Sequence, residues 1–154
     1  MSVEEEEVHA EAQRRREFTP IDIDIVSGKV VDISVRLHRA LGPGLLESVY
    51  ETVLAGKLIE SGLSVERQKS VGIVFEGSTF EAAFRIDLLV ENRLVVEIKS
   101  IDRLMPVHGK QLLTYLRLIH QPVGLLLNFG GETMKEGIKR VVNNHDPLRL
   151  RASA

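Results

Sequence analysis

The segment FRIDLLVENRLVVEIKS, residues 84–100, most constrains what this chain can fold into. Two runs of large apolar and β-branched residues flank a polar tripeptide at 91–93, which predicts two antiparallel strands joined by a tight turn. Asp87 nevertheless lies inside the first run, and Glu97 and Lys99 lie inside the second. A charge on a half-buried strand is costly unless it is paired or binds a metal. The hairpin therefore carries either a solvated charged face or a site.

Strand alternation predicts where these charges point. Glu97 and Lys99 are two residues apart and share a face, whereas Ile86 and Leu88 share the face opposite to Asp87. If the strands pair through the turn, Asp87 and Glu97 become near neighbours, and like charges opposite each other destabilise a sheet. A divalent cation between them would remove the repulsion, and carboxylate oxygens are ligands that Mg²⁺ prefers.

The plainer interpretation is a solvated strand face on which Glu97 and Lys99 form a charge pair. Asp87 argues against it, because Asp is a poor strand former and here lies in mid-strand between FRI and LLV. On these residues alone both interpretations stay open, and Asp87 favours a site.

Hydrophobic periodicity and turn residues predict the other elements. The predicted order is a helix from about 27 to 41, a helix from about 45 that ends before Gly62, strands at 63–77, 79–90 and 94–100, a helix at 106–120, a strand at 121–131 and a helix at 132–145. This order predicts an α/β sandwich around a mixed sheet. Residues 1–17 are predicted to be a mobile charged tail, 18–145 a single domain and 146–154 a C-terminal tail.

Composition excludes several classes of site. The chain has no cysteine, so disulfide frameworks, thiolate zinc sites and cysteine nucleophiles are excluded. It has no apolar run near the roughly 18 residues of a membrane span and no signal-peptide core, so we expect a soluble cytoplasmic protein. The formal net charge is −2, and without the first 17 residues the chain has 17 basic and 16 acidic residues. The chain therefore lacks the global basic field of a high-affinity nucleic-acid binder, but a local basic patch is compatible with it.

Motif searches narrow the chemistry further. The sequence has no Walker-type phosphate loop, no nucleophile elbow and no metal-binding spacing among its five histidines. ATP use and α/β-hydrolase chemistry are therefore not expected.

One family combines the features that remain. The segment GLLESVY at 44–50, followed by Asp87, nine residues and Glu97-x-Lys99, resembles the GxxExxY family of the PD-(D/E)xK nuclease superfamily. The blocks HGKQLLTYL and GLLLNFG extend the resemblance over roughly residues 27–142. Ile86 replaces the proline of the superfamily motif, at a position that varies. The resemblance implies a restriction-endonuclease-like core in α-β-β-β-α-β order, with a mixed sheet flanked by helices.

The resemblance also implies roles for individual residues. Asp87 and Glu97 would be ligands of Mg²⁺, with Mn²⁺ as a substitute, and the carbonyl of Ile98 would add a further ligand. Glu47 would be the acid that the first core helix lends to the metal site. Without the resemblance, the better interpretation of Glu47 is an acid favoured by the dipole at a helix N-terminus. Lys99 would position the attacking water and stabilise charge on the phosphate.

Five further side chains are candidates for contact with the site or with a phosphate. Gln111 would support it from the next helix, where Tyr115 lies on the same face one turn later. Tyr115 and Tyr50 are each as compatible with packing as with site support. His108 could reach a phosphate, as could His38, but a surface or capping role is the better interpretation of both.

The implied function is Mg²⁺-dependent phosphodiester hydrolysis on nucleic acid, with DNA favoured. Recognition would consist mostly of phosphate contacts, for which Lys69, Arg103 and Lys110 are candidates. Two other classes stay open, namely a catalytically silent nuclease-fold binding or regulatory module and a protein-interaction domain. No membrane association is expected, and a homodimer is left open.

Overall fold

A computed structural model describes residues 3, 5–7 and 21–144 of the chain. From residue 21 onward the helices are α1 (Ile23–Leu41), α2 (Glu47–Glu60) and α3 (Pro106–Leu118), and the strands are β1 (Val65–Phe75), β2 (Ser78–Val90), β3 (Leu94–Lys99), β4 (Val123–Asn128) and β5 (Ile138–Val142). Residues 3 and 5–7 are helical, and the rest of both predicted tails lies outside the described residues. None of the helices described is long and apolar enough to cross a membrane.

The five strands form one mixed sheet in the order β1-β2-β3-β4-β5. Strands β3 and β4 are parallel, and the other three neighbouring pairs are antiparallel. Helices α1 and α2 pack on one face and α3 on the other, each over its own apolar cluster. The predicted α/β class and the α-β-β-β-α-β order are confirmed, with α1 added before them and β5 after them.

The turn between β2 and β3 explains how the central hairpin forms. Glu91 and Asn92 both have positive φ, at 52° and 55°. The twist of such a turn matches that of the strands, and Asn tolerates it well. The N–H of Arg93 closes the turn by donating to the carbonyl of Val90 at 3.1 Å, so residues 91–93 form a three-residue loop. Val90 therefore pairs with Leu94, as the sequence predicts.

The helix predicted at 132–145 is wrong. Residues 135–137 form a turn, and β5 follows and pairs antiparallel with β4. Met134 and Ile138 contact one apolar cluster at a spacing of four, which imitates a helical face. All six residues of β4 are buried, and such a strand needs a covered edge, which β5 supplies. The end of the predicted helix at 145 lies outside the described residues.

The regular alternation of side chains between the two faces of the sheet is broken within β1 and β2. Leu88 packs under α1 and α2, whereas Ile86 packs under α3, so the predicted shared face of these two residues is wrong. In β1, Val65 and Val71 likewise pack on opposite faces although an even number of residues separates them. Between Val65 and Val71 lies Gln68, whose φ of 51° breaks the alternation of the strand.

Candidate active site

Strands β2 and β3 separate at Asp87 and Glu97. The last backbone-paired residues are Leu88 and Val96. At the next position, Asp87 and Glu97, side-chain oxygens accept the hydrogen bonds that join the two strands. The N–H of Asp87 donates to Glu97 Oε1 at 3.3 Å, and the N–H of Ile98 donates to Asp87 Oδ2 at 2.8 Å. The two predicted carboxylates are thus brought together, although the simple alternation that led to them fails within β2.

The environment of Glu97 opposes its negative charge. The side chain is 7% exposed, and burial, followed by the charge of Asp87, raises the pKa of its carboxyl from 4.5 to about 8. The N–H of Asp87 and the charge of Lys99 act in the opposite direction but do not cancel the increase. A bound cation would favour the ionised form of such a group.

An open cleft of about 770 Å³ reaches Asp87, whereas Glu97 and Lys99 do not line it. Its lining includes Asp87 and the predicted acid Glu47 at the start of α2. Glu47 is exposed, and its Oε1 accepts a long hydrogen bond of 3.4 Å from the N–H of Ser100. The hydroxyl of Ser100 donates to the carbonyl of Leu45 at 2.7 Å, which joins the start of α2 to the end of β3. Lys99, the residue before Ser100, is half-buried.

Tyr50 lies in the core and shapes the approach to the cleft. Its hydroxyl donates to the carbonyl of Gly42 at 2.5 Å and accepts from the N–H of Leu45 at 3.2 Å. Its ring stacks on Phe129 with the centroids 4.5 Å apart. These contacts hold the loop that precedes Glu47, so the described contacts of Tyr50 support packing and loop position.

Tyr115 faces the carboxylate pair from α3. Its ring stacks on Phe84 with the centroids 4.2 Å apart. Burial, then the charges of Glu97 and Asp87, raise the pKa of its phenol. Gln111 is exposed one turn earlier on the same face of α3. Tyr115 therefore lies near enough to Glu97 and Asp87 for their charges to act on its phenol.

The two histidines weighed for phosphate contact have structural partners. His38 is buried, and its Nε2 lies 2.9 Å from the carbonyl oxygen of Gly131. Nδ1 of His108 accepts from the N–H of Met105 at 2.9 Å and caps the start of α3. The capping interpretation of His108 is confirmed.

Glu51 and Gln68 were missed by the sequence reasoning, and both line the cleft. Glu51 is 5% exposed and accepts from Arg67 Nη2 at 2.8 Å. It follows Glu47 by one helical turn, and this spacing is the signal that could have identified it. Gln68 donates to both Glu51 and Asp87. No local sequence signal marks it, because a left-handed Gln inside a strand is uncommon.

Asn128 was also missed, and it fixes the loop after β3. The side chain is 2% exposed. Its Oδ1 accepts from the N–H groups of Ile101 at 3.0 Å and Gly130 at 3.1 Å, and its Nδ2 donates to the carbonyl of Ile101 at 2.9 Å. The chain that follows Lys99 is thereby tied to the end of β4.

The donor set fits one kind of metal site. Within residues 3, 5–7 and 21–144, no group of three or more His, Cys, Asp or Glu side chains is arranged to hold a metal ion. Asp87 and Glu97 provide two carboxylates, and Mg²⁺ is usually bound through one or two carboxylates together with waters and substrate phosphates. The residues present therefore fit Mg²⁺ and do not form a closed structural site.

Comparison with known families identifies a superfamily for this chain. A family model described as the PD-(D/E)XK nuclease superfamily matches residues 24–141, from the first turn of α1 into β5. No curated protein and no solved structure gives a match. Members of the superfamily generally hydrolyse phosphodiester bonds and typically use Mg²⁺.

Proposed function

Because the chain belongs to the PD-(D/E)XK nuclease superfamily, we propose that it is a Mg²⁺-dependent nuclease that hydrolyses phosphodiester bonds in DNA. The observation that carries the proposal is the placement of Asp87 beside the buried Glu97 where β2 and β3 separate. Burial and the charge of Asp87 raise the pKa of Glu97, so a bound cation would favour its ionised form, and the cleft gives a substrate access to Asp87.

Asp87 and Glu97 would hold the Mg²⁺, with the carbonyl of Ile98 as a further ligand. Glu47 would lend its negative charge from the start of α2, since it forms no three-carboxylate group with them in the described part of the chain. When bound, the ion would lower the pKa of a water and neutralise charge on the phosphate. Lys99 follows Glu97 by two residues and so lies on the same face of β3. Its ammonium group has three donors with which to orient the attacking water. Gln111 and Tyr115 would support the site from α3.

Substrate recognition is proposed to rest on phosphate contacts. Arg85 lines the cleft, and two further cations are exposed: Arg103 follows β3, and Lys110 lies in the N-terminal half of α3. Lys69 is half-buried in β1, where it forms an ion pair with Glu66. Both tyrosines of the chain stack on phenylalanines of the protein, and the exposed Phe75 and Phe80 lie beside the β1–β2 turn and do not line the cleft. The cleft lining therefore offers no aromatic ring for base stacking. A duplex bound through its backbone suits this surface better than a single strand bound through its bases.

We assign the chain to the GxxExxY family within the superfamily, on the segment GLLESVY. Its placement supports this assignment, since Glu47 lines the cleft and Tyr50 holds the preceding loop. A cytoplasmic location and a homodimer stay predictions.

The test is cleavage of labelled linear, circular, nicked and branched DNA, and of RNA, with and without Mg²⁺ or Mn²⁺. We expect metal-dependent cleavage of DNA, and a loss of at least about 100-fold for Asp87→Asn and Lys99→Met. Asp32→Asn is the matched control, because Asp32 is exposed on α1 and pairs only with Arg36 among the described ion pairs. This control should cleave as the wild type does.

Calorimetry and thermal melting separate the alternatives. Mg²⁺ should raise the melting temperature of the wild type as the site fills, and should have much less effect on Asp87→Asn. If the protein cleaves RNA and not DNA, the proposed substrate is wrong and RNA is the substrate. Mg²⁺ binding without cleavage of any substrate would support the silent module, and absence of both would support the protein-interaction domain.

A further inference from the structure

Gln68 has a strained backbone inside a paired strand. Its φ is 51°, in the left-handed region that residues other than glycine seldom adopt. On either side of it, Arg67 pairs with Leu88 and Lys69 pairs with Ile86, so the strain breaks the alternation of side chains without forming a turn or changing the register. Strain that the surrounding structure maintains often marks a functional position.

The strained backbone directs two consecutive side chains to the same acid. Arg67 and Gln68 would point to opposite faces of a regular strand. Here Arg67 Nη2 donates to Glu51 Oε2 at 2.8 Å, and Gln68 Nε2 donates to Glu51 Oε1. Arg67 Nη2 also donates to the hydroxyl of Thr52 at 2.8 Å. Glu51 is thus fixed on α2 by three donors from β1, counting Arg67 Nε at 3.3 Å.

The amide of Gln68 also reaches the carboxylate pair. Its Nε2 donates to Asp87 Oδ1 at 3.3 Å. An amide nitrogen has two hydrogens, and both are used here by carboxylates. Because Glu51 and Asp87 offer only acceptor oxygens when ionised, the orientation that presents the nitrogen to Asp87 is favoured over the flipped one. The other oxygen of Asp87 accepts from the N–H of Ile98, so both ends of the carboxylate are held.

From these contacts we propose that Gln68 is a positioning residue that holds the carboxylate of Asp87 in the orientation that binds the divalent cation. Glu51 and Arg67 act through Gln68, because they fix which atom of its amide faces Asp87. The inference rests on the proposed Mg²⁺-dependent function and adds a residue from β1 that acts on the metal site without touching the metal.

Two variants separate this role from a purely structural one. Gln68→Gly accepts the left-handed backbone without strain and removes the amide. We expect it to keep or raise the melting temperature of the metal-free protein, yet to weaken Mg²⁺ binding measured by calorimetry 10- to 100-fold. Gln68→Met keeps the length of the side chain and loses the donors, and should weaken Mg²⁺ binding to a similar extent.

Asn92→Gly is the matched control. Asn92 is exposed in the β2–β3 turn, and it too has an amide side chain and a positive φ, of 55°. Its replacement should leave Mg²⁺ affinity unchanged.

Four results would overturn the inference. One is a Gln68→Gly protein that melts at lower temperature but binds Mg²⁺ as tightly as the wild type. Another is equal loss of affinity in the Asn92→Gly control. A wild type that binds no Mg²⁺ would overturn the proposed function and this inference with it, whereas tight binding by all variants overturns this inference alone.

Discussion

At the scale of single residues, the site is governed by a buried acid, Glu97, beside a half-buried one, Asp87. Glu97 accepts a hydrogen bond from the N–H of Asp87, and burial and the charge of Asp87 raise the pKa of its carboxyl. Asp87 is half-buried and is held by donors on both oxygens. The pair is therefore ordered before any cation arrives, and the cation would compete with a proton on Glu97.

The metal-free protein should lose stability as the pH rises from about 5 to 8. The pKa of Glu97 is about 8 in the folded protein and 4.5 as its reference value. Between these values the folded state binds more protons than the unfolded state, so the free energy of unfolding falls by up to about 1.4 kcal/mol per pH unit. Denaturant unfolding across this range measures the slope.

Glu97→Gln is the control for this pH dependence, because its amide does not titrate. It should flatten the slope, and saturating Mg²⁺ should flatten that of the wild type, since the bound carboxylate is ionised at every pH of the range. A wild type whose stability rises from pH 5 to 8 would contradict the assignment of the raised pKa to Glu97.

At the scale of elements, β4 organises the loop that follows the site. Asn128 ends β4 and satisfies three backbone groups of Ile101 and Gly130. These groups belong to two loops that approach so closely that a Cβ on Gly130 would overlap the backbone of Ile101. The end of β3, where Lys99 lies, is thus anchored by its parallel neighbour.

Asn128→Ala should destabilise the protein by about 2–3 kcal/mol, because buried backbone donors and an acceptor lose their partner. Urea unfolding measures the change. Cleavage should also fall, since the chain after Lys99 is released. Asn144→Ala is the control, as Asn144 is exposed, and it should change stability by less than about 0.5 kcal/mol. Equal stability of the two variants would show that the Asn128 contacts contribute nothing net.

The sequence predicts the elements that depend on a local residue pattern, but it does not predict those that depend on tertiary contacts. The apolar runs on either side of residues 91–93 give the hairpin, and Asp87 stands out because Asp is unusual in a strand. Met134 and Ile138 fit a helix and a turn followed by a strand equally well, and only the uncovered edge of β4 decides between them. The strain at Gln68 depends on Glu51, which is 17 residues away.

At the scale of the whole molecule, the core begins within α1. Val26 and Val30 are fully buried in the cluster that α1 and α2 share with the sheet. The opposite cluster, under α3, is built from residues 84 and beyond together with Val71. Among the described residues, neither cluster includes one that precedes Ile23, which packs at the edge of the first.

Removal of residues 1–17 should therefore leave the melting temperature and Mg²⁺ affinity unchanged. The segment holds six Glu and three Arg and lacks apolar periodicity. A deletion that continues through residue 30 is the control, because it removes two fully buried valines and should cost several kcal/mol or abolish folding. A large drop in melting temperature for the shorter deletion would show that the tail docks on the domain.

The side-chain bridging of β2 to β3 also restricts how this site can change in evolution. The N–H groups of Asp87 and Ile98 rely on the oxygens of Glu97 and Asp87, so the sheet itself needs an acceptor at both positions. The sheet needs the oxygen atoms, whereas only the chemistry needs the negative charge. Descendants of this fold that abandon cleavage should therefore pass through Asn, Gln or Ser at these positions rather than Ala or Val, and an amide pair at 87 and 97 would mark them.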